Sequence, residues 1–309
     1  MITRRNFLAG LAGFSAASIS LAGYAFGFEP NRLRLQRYAL LPPRWPKDFT
    51  LRIAAIADLH ACEPWMSLDR VADVVRAANG LETDLIVLLG DYAAAHRWVT
   101  RVMRPAEWAA VLKDLHAPLG VHAILGNHDW WDDGEAQVLG SGPVAGRRAL
   151  ERVGIPVYEN RAVRLAKGSQ PFWLAGLADQ IALRPSRSHG RRRFEGLDDL
   201  EGTRAQITDD APAILLAHEP DIFPRVPDRF ALTLSGHTHG GQVRLFGYSP
   251  VVPSRYGNRY AYGQVVEADA SGAPRHLIVS GGLGCSIAPV RFGVPPEILL
   301  VELGASALS

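Results

Sequence analysis

Leu51-Arg-Ile-Ala-Ala-Ile-Ala-Asp-Leu-His60 is the stretch of sequence that decides the fold class. Its apolar run predicts a strand over residues 51–57 that ends at Asp58, and apolar residues at helical spacing follow over 68–78. Residues 84–90 form a second, near-continuous apolar run, the pattern of a strand whose two faces are both buried. Buried strands that alternate with amphipathic helices predict an α/β protein.

The same alternation continues with a helix expected over 106–115 and a strand over 120–125. After Gly154, apolar runs separated by turn residues predict strands over 161–165, 172–177, 214–217, 232–235, 263–268, 277–280 and 298–303. The sequence shows no internal repeat and no linker after about Arg37. We therefore expect one domain built on two stacked sheets rather than two independent units.

The composition excludes several classes of protein. The 309 residues are 48% hydrophobic, which is enough for a large core. Thirty-three Lys and Arg against 31 Asp and Glu leave a net charge of +2, so no nucleic-acid partner is expected. Two cysteines cannot form a disulfide framework or a four-cysteine zinc site.

The N-terminus carries the pattern of an export signal. Arg4 and Arg5 precede an uncharged apolar stretch over residues 7–28, and the arginine pair resembles a twin-arginine signal. Small residues allow cleavage after Ala25, whereas the apolar length would also serve as a membrane anchor. We expect residues 1–28 to be a twin-arginine signal peptide or an N-terminal anchor. The twin-arginine machinery would then export the protein to the periplasm or cell envelope, or leave it on the inner membrane if uncleaved.

Five polar clusters each follow an apolar strand where a turn begins: Asp58-Leu-His60, Gly90-Asp91, Gly126-Asn127-His128-Asp129, His218-Glu219-Pro220 and Gly236-His237-Thr238-His239. In open α/β sheets, ligands bind beyond the carboxyl ends of the strands. Residues i and i+2 of an extended segment point to the same side. Asp58 and His60 are therefore expected to face one ion, as are His237 and His239 if their strand persists that far. The flanking glycines would let the backbone turn sharply beside the site.

The types of side chain narrow the choice of metal. Carboxylate and imidazole ligands without thiolate favour Mn, Fe or Zn over Ca²⁺ or a structural zinc. Seven candidate ligands are more than one ion needs, whereas two ions that share one carboxylate would use them all. Two neighbouring ions are the arrangement that supports displacement at phosphorus. The pattern therefore predicts a binuclear metal-dependent hydrolase.

The order D-x-H, G-D, G-N-H-D, H and G-H-T-H resembles the calcineurin-like metallophosphoesterase superfamily over about residues 51–303. The runs 236–242, 282–284 and 291–298 are similar to its twin-arginine-exported or membrane-associated bacterial phosphodiesterase branch. The resemblance implies a four-layer α-β-β-α sandwich of two mixed sheets flanked by helices. The domain would occupy residues 45–305.

The resemblance also implies a role for each motif residue. One ion would be held by Asp58, His60 and His239, and the second by Asn127, His218 and His237. Asp91 would bridge the two ions. His128 would face the scissile phosphate without binding metal, and Asp129 would either orient the His128 imidazole or cap a helix.

The implied reaction is in-line attack on phosphorus by a hydroxide held between two divalent ions (Mn, Zn or Fe), with Mn²⁺ favoured in vitro. A phosphodiester is the substrate we favour; it would be an amphipathic or lipid-linked ester or a small diester. A pyrophosphate in a nucleotide-lipid such as UDP-diacylglucosamine, or a phosphomonoester, is the alternative.

Three features of the sequence are each open to two interpretations. The arginine-rich segment 184–193 is a solvated loop that its acidic neighbours neutralise, or an anion-binding or membrane-surface loop beside the site. Trp130-Trp131 forms an apolar substrate wall or ordinary packing. Cys62 and Cys285 are buried inert thiols or a disulfide pair.

Overall fold

The computed structural model describes residues 18–94, 96–269 and 271–304. Arg4-Arg5 and most of the predicted signal segment lie outside the described residues. In the part of the chain that is described, no helix has the length and apolar character needed to cross a membrane.

Two mixed β-sheets form the centre of the molecule. The first contains, in spatial order, β1 (Arg34–Leu40), β13 (Glu297–Leu303), β2 (Leu51–Ile56), β4 (Leu85–Leu88) and β6 (Val121–Ala123). Strands β2, β4 and β6 run parallel, and β13 runs antiparallel to β2.

The second sheet has six strands, with antiparallel pairs only at its two edges. Its spatial order is β11 (Gly263–Ala268), β12 (Pro274–Val279), β10 (Leu232–Ser235), β9 (Ala213–Leu216), β8 (Gln170–Gly176) and β7 (Arg161–Lys167). The four inner strands run parallel. A small ladder joins β3 (Cys62–Glu63) to β5 (Arg101–Val102).

Helices cover the outer faces of both sheets. Five pack on the first sheet: α1 (Leu68–Asn79), α2 (Pro105–Leu112), α3 (Asn127–Trp131), α4 (Gly134–Leu139) and α5 (Ala145–Arg152). The outer face of the second sheet packs against the shorter α6 (Leu200–Ala205) and a 3₁₀ segment at Pro220–Arg225. The predicted four-layer α-β-β-α sandwich is confirmed.

Alternating side chains of each central strand enter different cores. In β2, Ile53 and Ala55 point into the core between the two sheets, whereas Ala54 and Ile56 pack under the helices. The apolar run of β2 is therefore continuous because both of its faces are buried.

The sequence pattern missed the edge strand β1. All seven of its residues pair with β13, yet most of its side chains are exposed or half-buried. Charged side chains on an edge strand discourage pairing with other chains, and here they hide the apolar alternation that predicts a strand. The sheet thus begins ahead of residue 45.

Candidate metal centre

All five predicted clusters meet where parallel strands of both sheets end. Strands β2, β4 and β6 deliver the first three clusters, and β9 and β10 deliver the other two. Two groups result, Asp58 with His60 and His239, and Asp91 with His218 and His237. Within each group the potential ligand atoms all lie within 4.8 Å of one another.

Asp91 lies between the two groups. Its Oδ2 is 3.6 Å from Nε2 of His60 and 3.2 Å from Nε2 of His218. Oδ1 of Asn127 is 2.8 Å from Nδ1 of His237, which adds the amide to the second group. The structure therefore brings all the predicted ligands together in the implied grouping, and metal binding by them stays a prediction.

Unshared electron pairs converge on this centre. Oδ2 of Asp58 and Nε2 of His218 are buried, and neither atom has a hydrogen-bond partner within the described residues. Nδ1 of His60 lies 3.2 Å from the carbonyl of Ala93, and Nδ1 of His218 lies 2.6 Å from that of Leu89. Donation from Nδ1 to these carbonyls leaves Nε2 as a ligand atom. Buried carboxylate and imidazole atoms aimed at one point suit divalent cations.

Burial sets the charges of these groups. Burial, with the charge of Asp91, raises the pKa of Asp58 to about 7. Burial lowers the pKa of His60 to about 3. For Asp91, burial opposes ionisation, but the imidazoles of His218 and His128 hold its pKa well below the usual range. The neutral imidazole of His60 and the closely spaced carboxylates of Asp58 and Asp91 form a site that positive ions would stabilise.

Left-handed backbone turns aim these ligands. Strands β2 and β10 end at Ile56 and Ser235, before the ligands begin. The ligand φ angles lie between 47° and 68°, at Asp58, His60, Asp91, His237 and His239. The strand does not persist to His239, so His237 and His239 face different groups rather than one ion.

Glycines allow the strand ends to approach each other. A Cβ on Gly126 would lie 2.4 Å from Oδ1 of Asp91 and 2.6 Å from Nε2 of His218. A Cβ on Gly236 would lie 2.6 Å from Oδ2 of Asp58. Only glycine therefore lets the backbone come this close to the ligand side chains at these two positions.

His128 lies at the opening of the centre. Its backbone N–H donates to Oδ1 of Asp91 at 2.8 Å, and its ring is perpendicular to that of His60 at 5.0 Å between centroids. Its side chain keeps 21% of its surface exposed, whereas those of His60 and His218 keep none. This position leaves the His128 imidazole free to contact a substrate.

Asp129 is a helix cap. Its carboxylate accepts backbone N–H groups from Gly126 and Asp91, both at 2.9 Å, and from Tyr92 at 3.0 Å. The alternative, orientation of the His128 imidazole, has no contact to support it among the described residues. The carboxylate beside His128 is that of Asp132, whose Oδ2 is 4.0 Å from Nδ1.

Arg291 adjoins the site although it belongs to none of the five ligand clusters. It is fully buried, and its guanidinium donates to the carbonyls of Gly281 and Val294. Its Nη2 lies 3.3 Å from Nδ1 of His239. In the sequence, only its place in the run 291–298 points to a role at the site, since no spacing relates Arg291 to the ligand motifs.

The structure separates the alternatives for the aromatic pair. Trp130 is buried in the core under the helices. The Trp131 ring lies 5.3 Å from that of His128, stacks on Phe194 at 5.2 Å and has the Arg184 guanidinium 4.8 Å from its centroid. Trp131 is thus placed to contact a substrate, and one arginine of the segment 184–193 lies beside the opening.

Both cysteines are free and buried, so the disulfide alternative is not formed. Burial raises the pKa of the Cys62 thiol, which makes it a poor nucleophile.

Fold and site together define an α/β metallohydrolase, and sequence comparison gives its family. The calcineurin-like phosphoesterase family matches residues 51–241. The chain is 31% identical to the uncharacterized metallophosphoesterase YkuE of Bacillus subtilis over 98% of each chain. The chain belongs to the calcineurin-like phosphoesterase family and is a hydrolase of that family.

Two relatives carry more specific names. Phosphodiesterase YaeI of Escherichia coli is 29% identical over 98% of this chain and 100% of its own. UDP-2,3-diacylglucosamine pyrophosphatase LpxG of Chlamydia trachomatis is 27% identical over 98% of each chain.

Proposed function

We propose that this chain hydrolyses phosphodiesters at a centre of two divalent metal ions. The observation that carries the proposal is the convergence of two ligand groups on the shared carboxylate of Asp91. Asp58, His60 and His239 would hold one ion, and Asn127, His218 and His237 the other. Bound there, the ions would activate water and neutralise charge on the phosphoryl oxygens.

His128 supplies the acid–base chemistry of the chain. The hydrogen bond from its backbone N–H to Asp91 fixes the main chain of His128 relative to the ligands. A protonated imidazole at the opening would donate to the leaving oxygen and would stabilise negative charge on the phosphoryl group. Asp129 positions this residue indirectly, because it holds the backbone of Gly126 and Asp91.

A pyrophosphate linkage in a lipid-linked nucleotide is the second candidate substrate. The surface beside His128 favours it, because Trp131 and Phe194 offer stacked rings and Arg184 offers a cation. Stacked rings would contact a base or an apolar group, and the cation would attract a further phosphate.

Hydrolysis of chromogenic esters tests the proposed function. We expect the Mn²⁺-loaded full-length chain to hydrolyse bis(p-nitrophenyl) phosphate faster than p-nitrophenyl phosphate, and EDTA to abolish both activities. Asp91→Asn should remove activity, whereas Asp73→Asn on the exposed face of α1 is the matched control. A faster reaction with the monoester would overturn the diesterase assignment.

We also propose export through the twin-arginine machinery, with Arg4 and Arg5 as the recognised pair. Replacement of both arginines by lysine should keep the protein in the cytoplasm, as measured by fractionation of cells that produce the full chain. Unchanged export of that variant would contradict the proposal.

A further inference from the structure

Large apolar side chains are exposed together beside the metal centre. We define the apolar face by five of them: Leu245, Phe246, Tyr248, Val251 and Ile287. Leu245 and Tyr248 exchange backbone hydrogen bonds of 2.8 and 2.9 Å, which places Phe246 at the tip of a tight turn. Phe246 is fully exposed, and Val251 and Ile287 each keep 65% of their surface exposed.

The apolar face borders a cavity that reaches the candidate metal centre. Val251 and Ile287 line this cavity of about 180 Å³ together with the ligand His239. The Gln242 side chain donates to the carbonyls of Ala288 and Val290, both at 2.8 Å, and so joins the two loops that form the cavity. Two residues of the apolar face and one ligand of the centre therefore line the same cavity.

The apolar N-terminal stretch joins the molecule at the same place. The carbonyl of Ala25 accepts the backbone N–H of Arg291 at 3.0 Å, and the Tyr24 ring meets the edge of Phe292 at 5.9 Å. Phe292 in turn accepts the backbone N–H of Arg244, next to the turn, at 2.7 Å. Further apolar side chains are exposed on this N-terminal stretch, at Ile19, Leu21, Phe26 and Phe28.

We propose that the apolar face docks on the surface of a lipid bilayer, with Phe246 inserted into the interfacial region. Contiguous exposed apolar surface marks an interaction site, and aromatic side chains favour the membrane–water interface. A bilayer is the occupant that fits, because the uncharged sequence 7–28 reaches the described chain beside the face. Docking there presents the cavity beside His239 to a substrate that lies in the membrane. This proposal does not depend on the reaction catalysed.

A fluorophore at the turn tests the docking directly. Phe246→Cys in the full-length chain is labelled with the environment-sensitive fluorophore NBD, while Cys62 and Cys285 are buried and the unsubstituted chain controls for their labelling. Leu139→Cys, at another exposed apolar position, on α4 and outside the apolar face, is the matched control. With vesicles of phosphatidylethanolamine and phosphatidylglycerol, we expect a blue shift at position 246, quenched by nitroxide on the lipid chains, and no change at position 139.

Accessibility to a water-soluble maleimide is the second measurement. Vesicles should slow modification of Phe246→Cys about tenfold or more and leave Leu139→Cys unchanged, since interfacial insertion removes the thiol from water. Both measurements report on position 246 itself, so they remain decisive if residues 1–28 alone bind vesicles. Equal responses at the two positions, or no response at 246, would refute the proposal. A response at 246 that rises with protein concentration without vesicles would assign the face to a second copy of the chain.

Discussion

At the scale of the residue, the candidate ligands hold backbone angles that amino acids other than glycine rarely adopt. The five left-handed ligands lie in the turns just beyond the ends of buried strands. Such conformations cost on the order of 1–3 kcal/mol each and persist where the surrounding structure enforces them. Here the packed strands enforce these conformations. The strained turns give the ligands a geometry that an extended chain cannot provide.

Strain at Asp91 predicts that glycine at this position gives a more stable protein than alanine. In EDTA, we expect Asp91→Gly to unfold with a free energy about 1 kcal/mol or more above that of Asp91→Ala, because glycine accepts the positive φ of this position and alanine does not. Denaturant unfolding measures the difference. Position 73 in helix α1 is the control, since there glycine should be less stable than alanine by about 1 kcal/mol. The same order at both positions would exclude strain at Asp91.

His128 is predicted to act on the substrate without binding metal. His128→Ala should retain its metal, by elemental analysis, and lose about 10²–10⁴-fold in rate, the usual contribution of a general acid. His116→Ala removes an exposed imidazole and is the control. Metal loss in His128→Ala would instead identify His128 as a ligand.

His122 predicts a dependence of stability on pH. It is buried, with Nδ1 2.7 Å from the Tyr158 hydroxyl and Nε2 2.8 Å from the Leu119 carbonyl. Burial lowers its pKa below the usual 6.5, so the unfolded chain binds a proton that the folded chain does not. The free energy of unfolding should therefore fall as the pH drops below about 6.5. His122→Gln should weaken this dependence, as measured by denaturant titrations from pH 8 to 5.5, and an unchanged slope would contradict the assignment.

At the scale of the element, the start of α3 is held to the end of β4 by one carboxylate. Asp129 accepts three backbone N–H groups from Gly126, Asp91 and Tyr92. Because Gly126 packs against the side chains of Asp91 and His218, this cap fixes the distance between two ligand-bearing strand ends.

Removal of the cap should disturb both stability and metal binding. We expect Asp129→Ala to lose about 3 kcal/mol or more of unfolding free energy, because unsatisfied buried amides each cost about 1–3 kcal/mol. Metal affinity should fall with it, as measured by calorimetric titration with Mn²⁺. Asp129→Asn keeps an acceptor oxygen and should recover part of both losses. A rate defect in Asp129→Ala with unchanged stability and affinity would favour a direct catalytic role.

At the scale of the whole molecule, the centre joins the two sheets. The first sheet supplies Asp58, His60 and Asp91, and the second supplies His218 and His237. Bound ions would therefore connect layers that otherwise contact each other through the apolar core.

Metal removal should lower the stability of the entire fold. Ions that bind only the folded chain stabilise it by about 2.7 kcal/mol at a free concentration of 100 Kd. We expect EDTA to lower Tm, and Mn²⁺ to restore it in a concentration-dependent manner in the parent chain but not in His218→Ala. An equal response of both chains would place the stabilising ions elsewhere.

The sequence by itself determined the α/β class, the buried strands and the residues that carry the chemistry. Apolar runs such as 84–90 predict buried strands, because burial of both faces requires an apolar side chain at nearly every position. That requirement is visible in the local sequence. The candidate ligands were recognisable because each follows such a run directly. The edge strand β1 was not, since its charged exposed face masks the alternation.

The spacing of the residues alone did not give the division of the ligands into two groups, which the family resemblance implied, and only the tertiary structure decided which residues support them. His237 and His239 are two positions apart, yet left-handed turns send them to different groups. Asp129 became a cap and Arg291 a neighbour of His239 through contacts between segments far apart in the chain. These relations depend on which strand ends and loops the fold brings together, and no local pattern of residues encodes that.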